Sequence, residues 1–395
     1  MNPVMGDITP NTASLTFRLG YRPELDGIRG ISILLVFIHH VFPKLLPGGF
    51  IGVDIFFVLS GFLITTLLLQ EKTREGSINL SNFYVRRALR LLPALVTLVS
   101  ALAVFALSGL AGRTAALTYE GILLSLSYVS NWLYAFDFFS ADNPLGITWS
   151  LAIEEQFYLL WPLILSLFLS SKLRRRWLFH GLWACIACIT IYRAVLVLRG
   201  IFIVRLYYAS DTRADALLFG CLAAVLVSSG KLTGRLNPIL NKVLVMISVL
   251  FLAVMAFAAT WETLFRYEGL LLSLIALSAA VLILEVLLSP GKAALLLLRW
   301  FPLVWVGRVS YGLYLWHWPV RWYVYHLPIM RGSILQPYLV ILASFGFTSL
   351  SYYLIERPFL NWKHRFSSRP TDSARSLVRH PATLLAPAPA QTPKA

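Results

Sequence analysis

Charge is scarce in this 395-residue sequence: Asp, Glu, Lys and Arg together make up 13%, about half the share of a water-soluble globular chain. In its place come recurrent stretches of about twenty nearly uncharged residues, each long enough to cross a bilayer, and no segment is left over for a soluble domain. Acid is scarcer than base, 18 residues against 34 for a net charge of +16. In a soluble chain that balance would suggest nucleic acid as partner. Here the Lys and Arg fall in short runs between the apolar stretches, the pattern of positive-inside anchoring, so no nucleic-acid partner is expected. Cysteine is nearly absent. Cys185, Cys188 and Cys221 all lie inside apolar stretches, without the exposed electropositive setting that a reactive thiolate requires, which leaves them a packing role. The histidines are dispersed, and neither His-Glu-x-x-His nor a cysteine cluster occurs, so no metal site is expected. A cleavable leader is not expected either: the first apolar run starts late, behind Glu24 and Asp26, and no small-residue cleavage site follows. No internal repeat is visible.

What is there reads as an all-α polytopic membrane protein. Apolar candidates lie near 28–46, 50–70, 91–110, 115–139, 149–170, 177–199, 213–230, 243–260, 268–289, 303–326 and 334–355, eleven in all. The basic clusters at Lys72 to Arg90, Lys172 to Arg176, Lys231 to Lys242, Lys292 to Arg299 and Arg357 to Arg365 test that count. If all face the cytoplasm, an even number of crossings must separate Arg90 from Lys172. Three candidates occupy the interval, and 115–139 is the weakest, with Glu120, Asn131, Asp137 and several serines. It is expected to lie on the outer face as an amphipathic or re-entrant segment. This leaves about ten transmembrane helices in one bundle over residues 21–366, a cytoplasmic N-terminal tail at 1–20 and a disordered cytoplasmic tail at 367–395 that is rich in Pro, Ala, Ser and Thr.

Polar residues within hydrocarbon are costly, so those that occur there are candidates for function. Arg29 and His40 are eleven residues apart, which on a helix is three turns plus about 20° and a rise of roughly 16 Å. They share a face, with Arg29 near the cytoplasmic boundary and His40 in the outer half, while His39 points elsewhere. The plainer alternative has Arg29 snorkelling to headgroups and His40 bonded to a neighbouring helix. In GGFIGVDIFFVLSGFLIT, Asp54 stands near the outer end of the second span and Ser60 near its middle; Asp54 must face a partner inside, whether a site or a structural pair. In TWSLAIEEQFYLLWPL, Ser150, Glu154 and Tyr158 lie one turn apart along one stripe. A carboxylate there is at a depth comparable to His40, and a buried acid beside a histidine orients the ring for general-base work; a structural ion pair is the alternative.

On the cytoplasmic side NFYVRRALRLLP offers Arg86, Arg87 and Arg90, and Arg87 and Arg90, three residues apart, can present their guanidinium groups together to phosphates. Anchoring accounts for them equally. DTRADALLFG sets Arg213 and Asp215 at the outer start of the sixth span, and SYGLYLWHWP sets Ser310, Tyr314 and His317 in the ninth. Tyr and Trp at span ends commonly form interfacial belts, and His317 between Trp316 and Trp318 has packing as its plainer reading.

Taken in order, DGIRGISILLVFIHH, GVDIFFVLSGFLIT, FYVRRALRLLPA, TWSLAIEEQFYLLWP, RADALLFG, SYGLYLWHWP and IERP resemble the acyltransferase 3 family of membrane-bound O-acyltransferases over about residues 21–360. The resemblance implies transfer of an acyl group, often acetyl, from cytoplasmic acyl-CoA to a hydroxyl of a sugar-containing acceptor such as lipopolysaccharide, exopolysaccharide or a glycosylated small molecule, at the bacterial inner membrane and without a permanently bound cofactor. The family's Arg, ten residues, then His pattern falls on Arg29 and His40, its Arg-x-x-Arg on Arg87 and Arg90, and its Ser-Leu-x-x-Glu on Glu154. Some relatives carry a further extracytoplasmic hydrolase-like domain; this chain resembles the stand-alone form. The mechanism then implied has CoA phosphates on the cytoplasmic arginines, with Arg29 at the inner end. His40 acts as base or transient acyl carrier, Glu154 or Asp54 orients it, and Ser60 or Tyr158 is available as oxyanion donor. A proton-coupled transporter or flippase is the rival reading and a sensor or scaffold a third.

Overall fold

The computed structural model describes residues 19–170, 175–230, 238–267, 269–330 and 332–362. Helices are the only regular elements among them: α1 Pro23–Val41, α2 Gly52–Glu75, α3 Leu80–Leu107, α4 Ala115–Ser127, α5 Ser130–Ala135, α6 Trp149–Ser170, α7 Arg175–Leu198, α8 Ile203–Tyr208, α9 Ser210–Ser228, α10 Pro238–Ala258, α11 Trp261–Arg266, α12 Leu270–Leu288, α13 Lys292–Leu298, α14 Phe301–Arg308, α15 Ser310–His326, α16 Gln336–Ser351 and α17 Arg357–Trp362, with a π-turn at Tyr352–Glu356 between the last two. The local signals account for several boundaries. α1 opens on a proline with Glu24 and Asp26 in its first turn, where acids favour the positive end of the helix dipole. α2 stops at Gly76, whose φ of 73° a glycine adopts without strain. Asn79 caps α3 by accepting from the Asn82 backbone N–H at 2.9 Å.

Each of the ten expected spans contains a helix, but only seven helices among the described residues are long and apolar enough to cross a membrane by length and composition alone. The other three fall short on charge or length. α1 carries Glu24, Asp26 and Arg29, α9 carries Asp211, Arg213 and Asp215, and α15 is 17 residues long. Arg29 and His40 lie on the first of these helices, Arg213 and Asp215 on the second, and Ser310, Tyr314 and His317 on the third. The 115–139 stretch divides into α4 and α5, with Tyr128 between them at a φ of 53°. The 13 residues of α4 rise only about 20 Å, short of a hydrocarbon core of about 30 Å. The chain is thus a multi-pass, all-α membrane protein. The expected tails, 1–20 and 367–395, lie outside the described residues apart from Leu19 and Gly20.

α2 is mostly enclosed, whereas α7 and α10 turn most of their apolar surface outward, as contact with lipid requires. α2 packs along α9 through glycines. A methyl group on Gly61 would lie 1.9 Å from the Leu217 carbonyl oxygen, and one on Gly220 would lie 2.0 Å from that of Val58, so the two backbones touch as in small-residue packing of membrane helices. Gly220→Ala is therefore expected to cost about 1–3 kcal/mol through overpacking, read as a lower thermal midpoint in detergent. An unchanged midpoint would contradict this contact.

Candidate active site

Among the described residues, two neighbouring cavities gather most of the side chains singled out above. The first, with about 650 Å³ of unfilled space including its mouth, takes Arg29 from α1, Arg87 and Arg90 from α3, and Ser150, Glu154 and Tyr158 from α6. The expected stripe on α6 thus does lie along one wall. Inside it, Tyr158 donates to Ser60 Oγ at 3.0 Å and Ser60 donates to Glu154 Oε1 at 2.5 Å. The Arg87 guanidinium stacks 4.1 Å above the Tyr158 ring, a cation–π contact that holds it at the wall. Arg29 Nε donates to Ser310 Oγ at 3.4 Å. Three arginines against one carboxylate give this cavity a positive character. Arg86 turns away from it and pairs with Glu71 at 3.0 Å.

The second cavity, with about 770 Å³ of unfilled space including its mouth, is aromatic: Phe50, Trp149, Tyr207, Tyr208, Tyr314 and Trp318 line it together with His40 and Asp142. Val53 and Tyr314 line both cavities, so the two share a wall.

His40 is held by another histidine. Its Nδ1 lies 3.0 Å from His317 Nε2, and His317 Nδ1 lies 2.9 Å from the Leu313 carbonyl oxygen. A carbonyl can only accept, so His317 carries its proton on Nδ1. Between two neutral rings His40 must then donate from Nδ1 to His317 Nε2, which leaves the lone pair on His40 Nε2. Arg321 Nε donates to the His40 carbonyl at 2.6 Å and fixes the end of α1. His39 points away, as expected, with Nδ1 3.1 Å from the Leu46 carbonyl.

The acid expected beside His40 is a correction to the sequence reading. Glu154 is engaged by Ser60 in the arginine cavity, and Asp54 is buried in an ion pair with Arg213 at 2.9 Å; neither hydrogen-bonds the ring. Asp54 meets the full charge of Arg213, which attracts it more strongly than a neutral imidazole would, and Glu154 shares its cavity with Arg29, Arg87 and Arg90. Arg213 and Asp215 likewise lie outside the lining of either cavity. Arg213 sits behind the aromatic wall, 4.8 Å from the Tyr207 ring centroid. Asp215 accepts from Arg193 Nη1 and Nη2 at 3.1 and 2.9 Å, with Ser273 also donating to it at 2.6 Å. Arg193 went unnoticed in the sequence, although a lone arginine within the apolar CITIYRAVLVL demands a buried acid and could have signalled it. Among the described residues no group of three potential metal ligands occurs.

Residues 22–356 match the family of the acyltransferase domain. The chain is 36% identical over 364 residues to the putative peptidoglycan O-acetyltransferase YrhL of Bacillus subtilis, covering 88% of this chain and 56% of that protein. It is 33% identical over 372 residues to the peptidoglycan O-acetyltransferase OatA of Listeria monocytogenes, covering 88% and 58%, and 35% identical over 370 residues to a putative O-acetyltransferase of Staphylococcus aureus, covering 88% and 60%. The chain thus spans somewhat over half the length of these curated relatives. No solved structure matches it. The motifs along α1, α2, α3, α6, α9 and α15, and the match over 22–356, agree: the chain belongs to the membrane-embedded acyltransferase family.

Proposed function

We propose that this protein transfers an acyl group, acetyl by the names of its relatives, from acyl-CoA to a hydroxyl of a glycan acceptor, with cell-wall glycan as the class those names point to. The observation that carries the reading is the wall common to the two cavities: an arginine-lined space and a histidine-lined space meet at Val53 and Tyr314. Arg29, Arg87 and Arg90 supply the planar, permanently charged donors that suit the phosphates of CoA. With basic loops inside, that cavity faces the cytoplasm and its donor pool. The aromatic faces around His40 offer apolar surface to the C–H face of a sugar ring, and Asp142 accepts from sugar hydroxyls.

In the reaction, His40 Nε2 takes the proton of the acceptor hydroxyl as its oxygen attacks the thioester carbonyl carbon. The C–O bond forms, the C–S bond breaks, and the departing thiolate receives the proton from His40 to leave as CoA. His317 keeps the His40 ring in the tautomer that can do this.

The reading is tested with the full chain in membranes, acetyl-CoA and solubilised wall glycan. CoA release that depends on the acceptor is expected, together with a base-labile ester on the glycan. Arg90→Ala is expected to raise the KM for acetyl-CoA about tenfold or more, since a hydrogen bond to a charged group contributes about 1.5–3 kcal/mol, with kcat largely retained because the lost contact is made equally in ground and transition states. Glycan movement across the membrane that needs no acyl-CoA and survives loss of His40 would favour a carrier and overturn the reading.

A further inference from the structure

Acyl transfer requires a donor for the oxygen that becomes negative as the hydroxyl attacks, and in water-excluded sites such donors contribute strongly. Resting on the acyl-transfer reading above, we infer that this donor is the Tyr314 hydroxyl, positioned by Ser150.

Two hydroxyls of the arginine cavity are already committed. The Ser60 proton points to Glu154 at 2.5 Å and the Tyr158 proton to Ser60 at 3.0 Å; turning either toward an oxyanion would break a charge-assisted chain that ends on the carboxylate. Ser310, bonded by Arg29, belongs to the arginine cavity one turn back along α15 from Tyr314. Tyr314 is placed differently. It lines both cavities, so it stands where a thioester from one and a hydroxyl from the other must meet. Its ring centroid is 5.7 Å from that of His317, the partner of His40.

Its hydrogen bonds are also those of a donor in waiting. The Tyr314 and Ser150 oxygens are 2.6 Å apart, and both approach the single Ile147 carbonyl, Tyr314 at 3.2 Å and Ser150 at 3.4 Å. Both carbonyl distances are long for O–H···O bonds. When Ser150 donates to the phenol oxygen, the phenol proton is held only by that long contact. A thioester oxygen at the shared wall captures it at little cost, while the bond from Ser150 keeps the phenol aimed. In the step proposed above, the C=O electron pair moves onto this oxygen as the C–O bond forms. It returns to the carbonyl as the C–S bond breaks, so the Tyr314 proton is shared and never transferred.

The test compares wild type, Tyr314→Phe, Ser150→Ala and His40→Ala, each as the full chain in membranes, by acceptor-dependent CoA release and by binding of free CoA, which lacks the acyl oxygen. Tyr314→Phe is expected to lower kcat about 10²–10³-fold, with KM for acetyl-CoA and CoA affinity within about threefold of wild type. Ser150→Ala is expected to lower kcat by about tenfold, also without change in CoA affinity. A Tyr314→Phe protein that keeps kcat within about threefold while His40→Ala is inactive overturns the assignment and leaves the acyl-transfer reading standing. Loss of CoA affinity in Tyr314→Phe makes the residue a packing element and overturns it equally. If wild type releases no CoA with acceptor present, the reading itself fails and this inference with it.

Discussion

His40→Ala is expected to reduce acceptor-dependent CoA release by about 10²–10⁴-fold, the usual contribution of a positioned general base, while free CoA still binds. The expectation follows from the proton count along α1 and α15. Leu313 fixes the His317 proton, His317 fixes the His40 proton, and one imidazole nitrogen remains to accept a third. His317→Ala removes the fixing partner and keeps the base, so its loss should be smaller and fall on kcat with KM steady. Chemical labelling separates the two routes that one histidine allows: direct transfer leaves His40 unlabelled after incubation with radiolabelled acetyl-CoA alone, and a stepwise route leaves the label on it.

The second large effect is on stability. Arg193 is completely enclosed and binds the Thr212 carbonyl, Ser273 and both oxygens of Asp215, tying α7 to α9 and α12. Arg193→Met leaves Asp215 buried without its countercharge, and removal of one partner of a buried pair costs about 3–5 kcal/mol. A large fall in the thermal midpoint in detergent is expected. Arg193→Met combined with Asp215→Leu should recover most of it, since replacing both charges by apolar groups is often near neutral. A single variant as stable as wild type would show that the pair does not hold these helices.

These two effects also mark how far the sequence could be read. Periodicity, apolar length and the placing of basic runs give the helices and mark 115–139 as the weakest of the span candidates, because each depends on the chain's own residues and on the bilayer; the break at Tyr128 shows only in the structure. The Arg29-to-His40 face and the Ser150, Glu154, Tyr158 stripe are legible for the same reason, as both follow from helical spacing within one element. Partners across helices are not. His40 meets His317, 277 residues away, and nothing local in either span distinguishes that pair from His40 with Glu154. The acids illustrate the same limit: Asp54 reads as a site residue until Arg213 is seen against it, and Asp215 until Arg193 is. Tyr314 looks like one more belt aromatic in SYGLYLWHWP, and only the meeting of the two cavities at its ring sets it apart.

The proposed function brings acyl-CoA to His40 through the arginine cavity and the glycan through the aromatic one, and with His40 expected in the outer half of its span the two arrive from opposite sides of the membrane. Proteoliposomes of uniform orientation, with acceptor glycan sealed in the lumen and radiolabelled acetyl-CoA supplied only to the face bearing the arginine cavity, test it most directly. The account predicts labelled ester on the lumenal glycan, unlabelled CoA released outside, and neither with His40→Ala. Ester formed only when acetyl-CoA and glycan share one compartment would contradict it.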